Sequence, residues 1–202
     1  MSEVVNVLIV GVGGQGVVLA SNILCEVALR AGYDVKKSEI HGMSQRGGVV
    51  TSHVRFGEKV YSPLIQHGQA DVMLGFESAE ALRFAHEVKE GGLMLSATQK
   101  IPPPRGPQKK KLKGLQYPET PLEDAKSVCK GRVVPIEAEK IAEELGNPRL
   151  TNTILLGALS TGLDISDDIW NETIRAMVPP KTIELNLAAF ARGKAVAEDV
   201  VA

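Results

Sequence analysis

The feature that most constrains this chain is a short glycine run at the end of an apolar strand pattern. Val4-Val5-Asn6-Val7-Leu8-Ile9-Val10 is rich in β-branched residues and nearly continuous in apolarity. It predicts a parallel strand buried on both faces. Gly11-Val12-Gly13-Gly14-Gln15-Gly16 follows, and apolar residues then recur at Leu19, Ile23, Leu24, Val27 and Ala28 with helical spacing. Strand, glycine turn and helix in that order suit an anion. Glycines let backbone approach closely, and a helix start offers unpaired N–H groups at a positive dipole end. The spacing fits G-x-G-x-x-G, the dinucleotide fingerprint. Read literally, it makes the chain an NAD(P)- or nucleotide-binding Rossmann-like protein.

Two further tests weaken the literal reading. Gly32 closes the helix as a C′ glycine would, and Asp34 to Ile40 is a second strand. A ribose-binding acid belongs near the end of that strand, and Glu39 stands there, but Ile40 and His41 follow it. The next element also does not continue the pattern. A parallel return needs a crossover of about a dozen residues, whereas only residues 41–48 separate Ile40 from Val49. A hairpin is expected instead, with Val49 to Phe56 as one strand. Gly57-Glu58 is expected to make its tight turn, and Lys59 to Leu64 to be its partner.

The connection itself is a second glycine loop, His41-Gly42-Met43-Ser44-Gln45-Arg46-Gly47-Gly48. If the first two strands are neighbours, about 4.8 Å apart, both loops share one crevice at their carboxyl ends. Arg46 would add a permanently charged fork suited to phosphate or carboxylate, and Ser44 and Gln45 neutral donors. The candidate ligand-binding residues are therefore Gly11, Gly13, Gly14, Gln15, Gly16, Gly42, Met43, Ser44, Gln45, Arg46, Gly47 and Gly48.

No catalytic set accompanies them. His41 reads as structural. His53 on a strand, His67 in a loop and His86 in a helix each stand alone. Cys25 and Cys129 lack metal-ligand spacing, which fits a reducing cytoplasm without disulfides or a bound cluster. No acidic cluster suggests a metal. A formal net charge of −1 gives no reason to expect nucleic acid or an anionic membrane. Neither a signal peptide nor a membrane-spanning run is read in the chain.

The rest of the chain completes an α/β pattern. Strands are expected at Asp71–Phe76, Gly92–Ala97 and Val133–Ile136, with helices at Ser78–Val88 and Glu137–Leu145. Between them, residues 100–114 carry Pro102, Pro103, Pro104 and Pro107 with Lys109, Lys110, Lys111 and Lys113, and read as an exposed loop. Asn152 to Leu163 is apolar almost all round and reads as buried. Asp167 to Met177 follows with Ser166 as N-cap, and a last helix starts after Pro179-Pro180. At 202 residues, the expectation is one domain. Its class is a three-layer α/β/α sandwich: a mostly parallel, Rossmann-like sheet, one antiparallel hairpin and a helical C-terminal section.

Taken together, several stretches resemble a known family. They are Gly11 to Val17, Ser38 to Gly48, Ser52-His53-Val54-Arg55-Phe56-Gly57, Tyr61-Ser62-Pro63, Ala70-Asp71-Val72, Glu77, Glu80 to Arg83 and Asn152 to Ala158. These residues resemble the beta subunit of indolepyruvate:ferredoxin oxidoreductases, within the gamma subunit or domain family of 2-oxoacid:ferredoxin oxidoreductases. Pyruvate and oxoglutarate members carry a G-P-E-x-R-G-G type second loop. Gly42-Met43-Ser44-Gln45-Arg46-Gly47-Gly48 departs from it and favours the indolepyruvate branch, with a pyruvate or 2-oxoglutarate gamma subunit as the alternative. The resemblance implies a non-autonomous cytoplasmic subunit, inactive when isolated. The enzyme would decarboxylate a 2-oxo acid oxidatively with coenzyme A, giving an acyl-CoA and reduced ferredoxin. Thiamine diphosphate, magnesium and iron–sulfur clusters would sit on a larger alpha subunit. The glycine loops would then hold coenzyme A or face the partner's active site, and homodimer pairing of the isolated chain stays open.

Overall fold

The computed structural model describes residues 4–42, 47–102 and 117–201. Six strands form one mixed sheet in the order β2-β3-β1-β4-β5-β6. They are β1 (Val5–Val12), β2 (Asp34–His41), β3 (Val49–Gly57), β4 (Ala70–Gly75), β5 (Val88–Ala97) and β6 (Arg132–Ile136). The helices are α1 (Val17–Arg30), α2 (Ser78–Phe84), α3 (Pro121–Val128), α4 (Ala138–Glu144), α5 (Thr151–Ser160), α6 (Asp167–Met177) and α7 (Ile183–Val201). Strands β1, β4, β5 and β6 pair in parallel, and β3 lies antiparallel between β1 and β2.

The alternation of β1 builds both faces. Val7 and Ile9 join the larger core, formed with residues of α1, α4, α5, α6 and α7, whereas Leu8 and Val10 join a smaller core with residues of α2 and α3. That is the three-layer α/β/α class expected from the sequence. At the helical layer's centre α5 is buried from Thr153 to Ser160, and Trp170 of α6 lies against Phe190 of α7 with ring centroids 5.4 Å apart. α1 ends as expected: Gly32 has φ +88°, and the N–H groups of Gly32 and Tyr33 close on the carbonyls of Leu29 and Ala28. This is a Schellman closure, which satisfies two otherwise orphaned helix carbonyls.

The hairpin is real but displaced. Its two strands are β2 and β3, paired from Asp34–Gly57 to His41–Val50, so the second glycine loop is itself the hairpin connection. Lys59 to Leu64 forms no strand. The reason is that β3 has no free edge, being paired with β2 on one side and β1 on the other. Side chains hold the segment instead: Asp34 accepts the Val60 N–H at 2.9 Å, and Arg55 donates to the carbonyls of Ser62 and Leu64. The same insertion overturns the expected neighbourhood of the first two strands, because β3 separates β1 from β2.

Smaller departures follow local chemistry. Helix α3 adds an element beyond the sequence expectation, started by Pro121 in its first turn with Glu123 and Asp124 beside it. Ser166 precedes α6 in an extended conformation but makes no side-chain cap bond. The acidic first turn of Asp167 and Asp168 favours that terminus instead. Most of the expected 100–114 loop lies outside the described residues, and no helix among the described residues is long and apolar enough to cross a membrane.

Candidate functional site

β1 carries its glycines to the carboxyl edge of the sheet, where three glycine positions fix the turn, two by close approach and two by positive φ. A Cβ on Gly11 would stand 2.8 Å from both Phe76 Cβ and Val17 Cγ2. Gly14 and Gly16 have φ of +105° and +87°, the left-handed region that glycine enters without strain. Gly16 is the N-cap of α1 and brings no side chain to cap it. The first-turn N–H groups of the helix are therefore left for another acceptor. The first turn also contains no acidic residue, so its positive end is uncompensated.

The two glycine loops meet, though by a different route from the one expected. β3 begins at Val49 opposite Val12 of β1, and this register delivers Gly47 and Gly48 directly against the first loop. The Gly13 N–H donates to the Gly48 carbonyl at 2.8 Å, and the Gly47 N–H to the Gly13 carbonyl at 3.4 Å. Gly42 donates to the Val49 carbonyl at 3.4 Å and closes the base of the second loop. Met43, Ser44, Gln45 and Arg46 lie outside the described residues.

Gln15 points into the scaffold. Its Oε1 accepts the Val12 N–H at 2.7 Å, and its Nε2 donates to the Phe76 carbonyl and to Gln99 Oε1. One side chain thus ties the ends of β1, β4 and β5 together. Beside it lies a cluster that sequence reading did not assign to the site. Glu77 is 1% exposed. It accepts N–H groups from Glu80 at 2.8 Å and Ile101 at 3.0 Å, together with the Tyr117 hydroxyl. Burial, then the bond to Glu77, pushes the Tyr117 phenol up to about 12. Asn152 of α5 belongs to a stretch that carries the family resemblance, and its Nδ2 would lie 2.1 Å from a Cβ on Gly16. Such neighbours come from strands and helices far apart in the chain, so no spacing rule exposes them.

Glu39 does not sit as a ribose acid would. It is on β2, two strands from β1, and pairs with Lys37 at 2.5 Å. The nicotinamide reading thereby loses its sugar anchor. Among the described residues His41 contacts the adjacent Gly42 carbonyl, and His53 Nδ1 accepts the Ile65 N–H at 3.3 Å. Burial lowers the His53 imidazole from its usual value. Cys25 packs against the larger core, and burial pushes its thiol up to about 11; burial likewise raises Cys129. Such thiols are poor thiolate ligands. Exposed apolar side chains flank the loops: Val18 and Leu19 in the first turn of α1, and Ile40 at the end of β2. A depression of about 230 Å³ between α6 and α7, lined by Asp167, Asn171, Phe190 and Lys194, involves none of the glycine loops.

Comparison with known proteins agrees with this architecture. A family model described as pyruvate ferredoxin/flavodoxin oxidoreductase matches residues 6–196. The chain is 44% identical to indolepyruvate oxidoreductase subunit IorB of Thermococcus kodakarensis, over 97% of both chains. Among solved structures, it resembles the gamma subunit of a keto/oxoacid ferredoxin oxidoreductase from Geobacter sulfurreducens. The TM-score is 0.70 at 22% identity, covering 96% of this chain and 99% of that one. It also resembles part of the 2-oxoglutarate:ferredoxin oxidoreductase of Magnetococcus marinus, solved with 2-oxoglutarate, coenzyme A and succinyl-CoA bound. There the TM-score is 0.75 at 22% identity, covering 98% of this chain and 32% of that one. The family model over residues 6–196 and 44% identity across 97% of the Thermococcus subunit lead to one assignment: the chain belongs to the pyruvate ferredoxin/flavodoxin oxidoreductase family.

Proposed function

We propose that this chain is the smaller subunit of a 2-oxoacid:ferredoxin oxidoreductase whose substrate is indolepyruvate or a related arylpyruvate. The assembled enzyme decarboxylates the 2-oxo acid, transfers the acyl group to coenzyme A and passes two electrons to ferredoxin. The name of the Thermococcus relative supports the substrate. The observation that carries the reading is the junction of the two glycine loops, with Gly13 and Gly48 joined at 2.8 Å beside the uncapped start of α1. The junction uses its own N–H groups on carbonyls and holds the uncapped α1 start in place, whose free N–H groups are the backbone donors for an anion, with few groups for chemistry beside them. Coenzyme A, present in the Magnetococcus structure, offers the matching pyrophosphate. The apolar residues Val18, Leu19 and Ile40 around the loops suit burial against a larger subunit.

Iron–sulfur clusters do not fit this chain's donors. Its two cysteines are partly buried, separate and held as thiols, whereas clusters need several thiolates. The clusters, thiamine diphosphate and magnesium belong to the partner in this reading, and the complex is cytoplasmic. Reconstitution tests it. The isolated chain should not reduce ferredoxin with any 2-oxo acid, and adding the larger subunit should give reduction dependent on both indolepyruvate and coenzyme A. A chain that alone binds nicotinamide tightly and turns it over would overturn the assignment.

A further inference from the structure

His67 and His86 are 19 residues apart in sequence and carry no motif, yet the fold brings them onto one carboxylate. His67 lies in the loop before β4, and His86 in the single 3₁₀ turn before β5. Because β4 and β5 are parallel neighbours, both residues arrive at the amino edge of the sheet, the end opposite the glycine loops. Glu87 is held between them. Its Oε2 accepts the Gly68 N–H at 3.0 Å, which fixes the carboxylate and leaves Oε1 toward the imidazoles. His67 Nδ1 stands 3.0 Å and His86 Nε2 3.3 Å from that oxygen.

We infer that His67, His86 and Glu87 form a binding site for a late first-row divalent cation, with zinc as its natural fit. One ligand atom from each residue lies within 4.8 Å of the others. A tetrahedral zinc with bonds of about 2.0–2.1 Å needs neighbouring ligand atoms about 3.3 Å apart. The two nitrogen–oxygen separations, 3.0 and 3.3 Å, are therefore already those of a coordination edge. Two imidazoles and one carboxylate match zinc and its neighbours and disfavour magnesium or calcium, which prefer oxygen donors. The Gly68 N–H bond to the second carboxylate oxygen is the outer support that orients such a ligand. The imidazoles are open to solvent, His67 at 77% and His86 at 46% side-chain exposure, so an ion has an entry path and water completes its shell. His53 is not among the residues whose ligand atoms converge there, and its Nδ1 accepts the Ile65 N–H. A bound ion would clip the loop before β4 to the turn before β5, two segments already joined by the Gly68 N–H bond to the Glu87 carboxylate.

The test is zinc titration of the full-length, untagged, chelator-stripped chain by calorimetry, with cobalt absorption as the readout of coordination. One zinc per chain is expected, with a cobalt spectrum of tetrahedral intensity. His67→Ala, His86→Ala and Glu87→Gln should each weaken binding by about tenfold or more, and His41→Ala should leave it unchanged. Zinc should also raise the melting temperature of the native chain but not of the His67→Ala/His86→Ala double variant, a comparison that holds even if a variant is less stable. Zinc binding of equal strength in the native chain and the double variant would overturn the site, as would no binding in either.

Discussion

Alanine at Gly157 or at Gly193 should lower the melting temperature by roughly 6–12 °C, from about 3 kcal/mol of overpacking spread over a chain of this size. The reason is a backbone-to-backbone crossing of α5 and α7. A Cβ on Gly157 would fall 2.0 Å from the Phe190 carbonyl oxygen, and one on Gly193 would fall 1.9 Å from the Ile154 carbonyl oxygen. Neither neighbour is a side-chain tip that swings aside. Each is a helix backbone atom, so the helices must separate. Separation loosens Trp170 against Phe190 and the buried face of α5 together. Thermal melts of the two single variants check this. A double variant should lose less than the sum, because one separation relieves both clashes.

Loss of the Glu77 carboxylate is the second large effect. Glu77→Ala should cost about 2–4 kcal/mol, because it orphans donors in a buried setting where each unsatisfied group costs about 1–3 kcal/mol. The orphans are the N–H groups of Glu80 and Ile101 and the Tyr117 hydroxyl. Tyr117 has a second contact at 3.1 Å with the Ser78 hydroxyl, which softens its share. Glu77→Gln keeps the shape and one acceptor oxygen, and should recover part of the loss. Urea unfolding midpoints with an unchanged slope measure both. The consequence reaches the site, because Ile101 and Tyr117 flank residues 103–116 and Ser78 donates to the Gln99 carbonyl beside Gln15.

These two groups illustrate what a sequence of this kind discloses. β1, the glycine turn and α1 with its Gly32 closure were legible because each depends on local chemistry: β-branched runs, φ freedom and helical period. The two halves of the sheet core could be read for the same reason, since Val7 and Ile9 alternate with Leu8 and Val10. The hairpin was legible as a connection too short for a crossover, but its partner was not. Which strand fills an edge depends on who else competes for it, and β3 found both β1 and β2. That long-range choice explains why Glu39 is removed from the glycine loop and why Gly48 arrives beside Gly13. Gln15 shows the same limit. A polar residue inside a glycine loop reads as a donor for ligand, whereas here both ends of its amide serve β1, β4 and β5. Glu77, Asn152 and the His67–His86–Glu87 group are products of tertiary placement and have no period or spacing to announce them.

What the fold adds to the glycine fingerprint is a second loop joined to the first through Gly13, Gly47 and Gly48, with Glu39 too far off to serve as a ribose anchor, and we propose that the paired loops hold an anion. The measurement that tests this most directly is coenzyme A titration into the assembled enzyme and into its Arg46→Ala counterpart. Arg46, read from the sequence as a charged fork for phosphate, is proposed to bind coenzyme A; its loss should weaken affinity roughly 10- to 150-fold, the scale of one charge-assisted contact of about 1.5–3 kcal/mol, with indolepyruvate binding less affected. Equal affinities for coenzyme A in the two enzymes would contradict the claim that the paired glycine loops hold it.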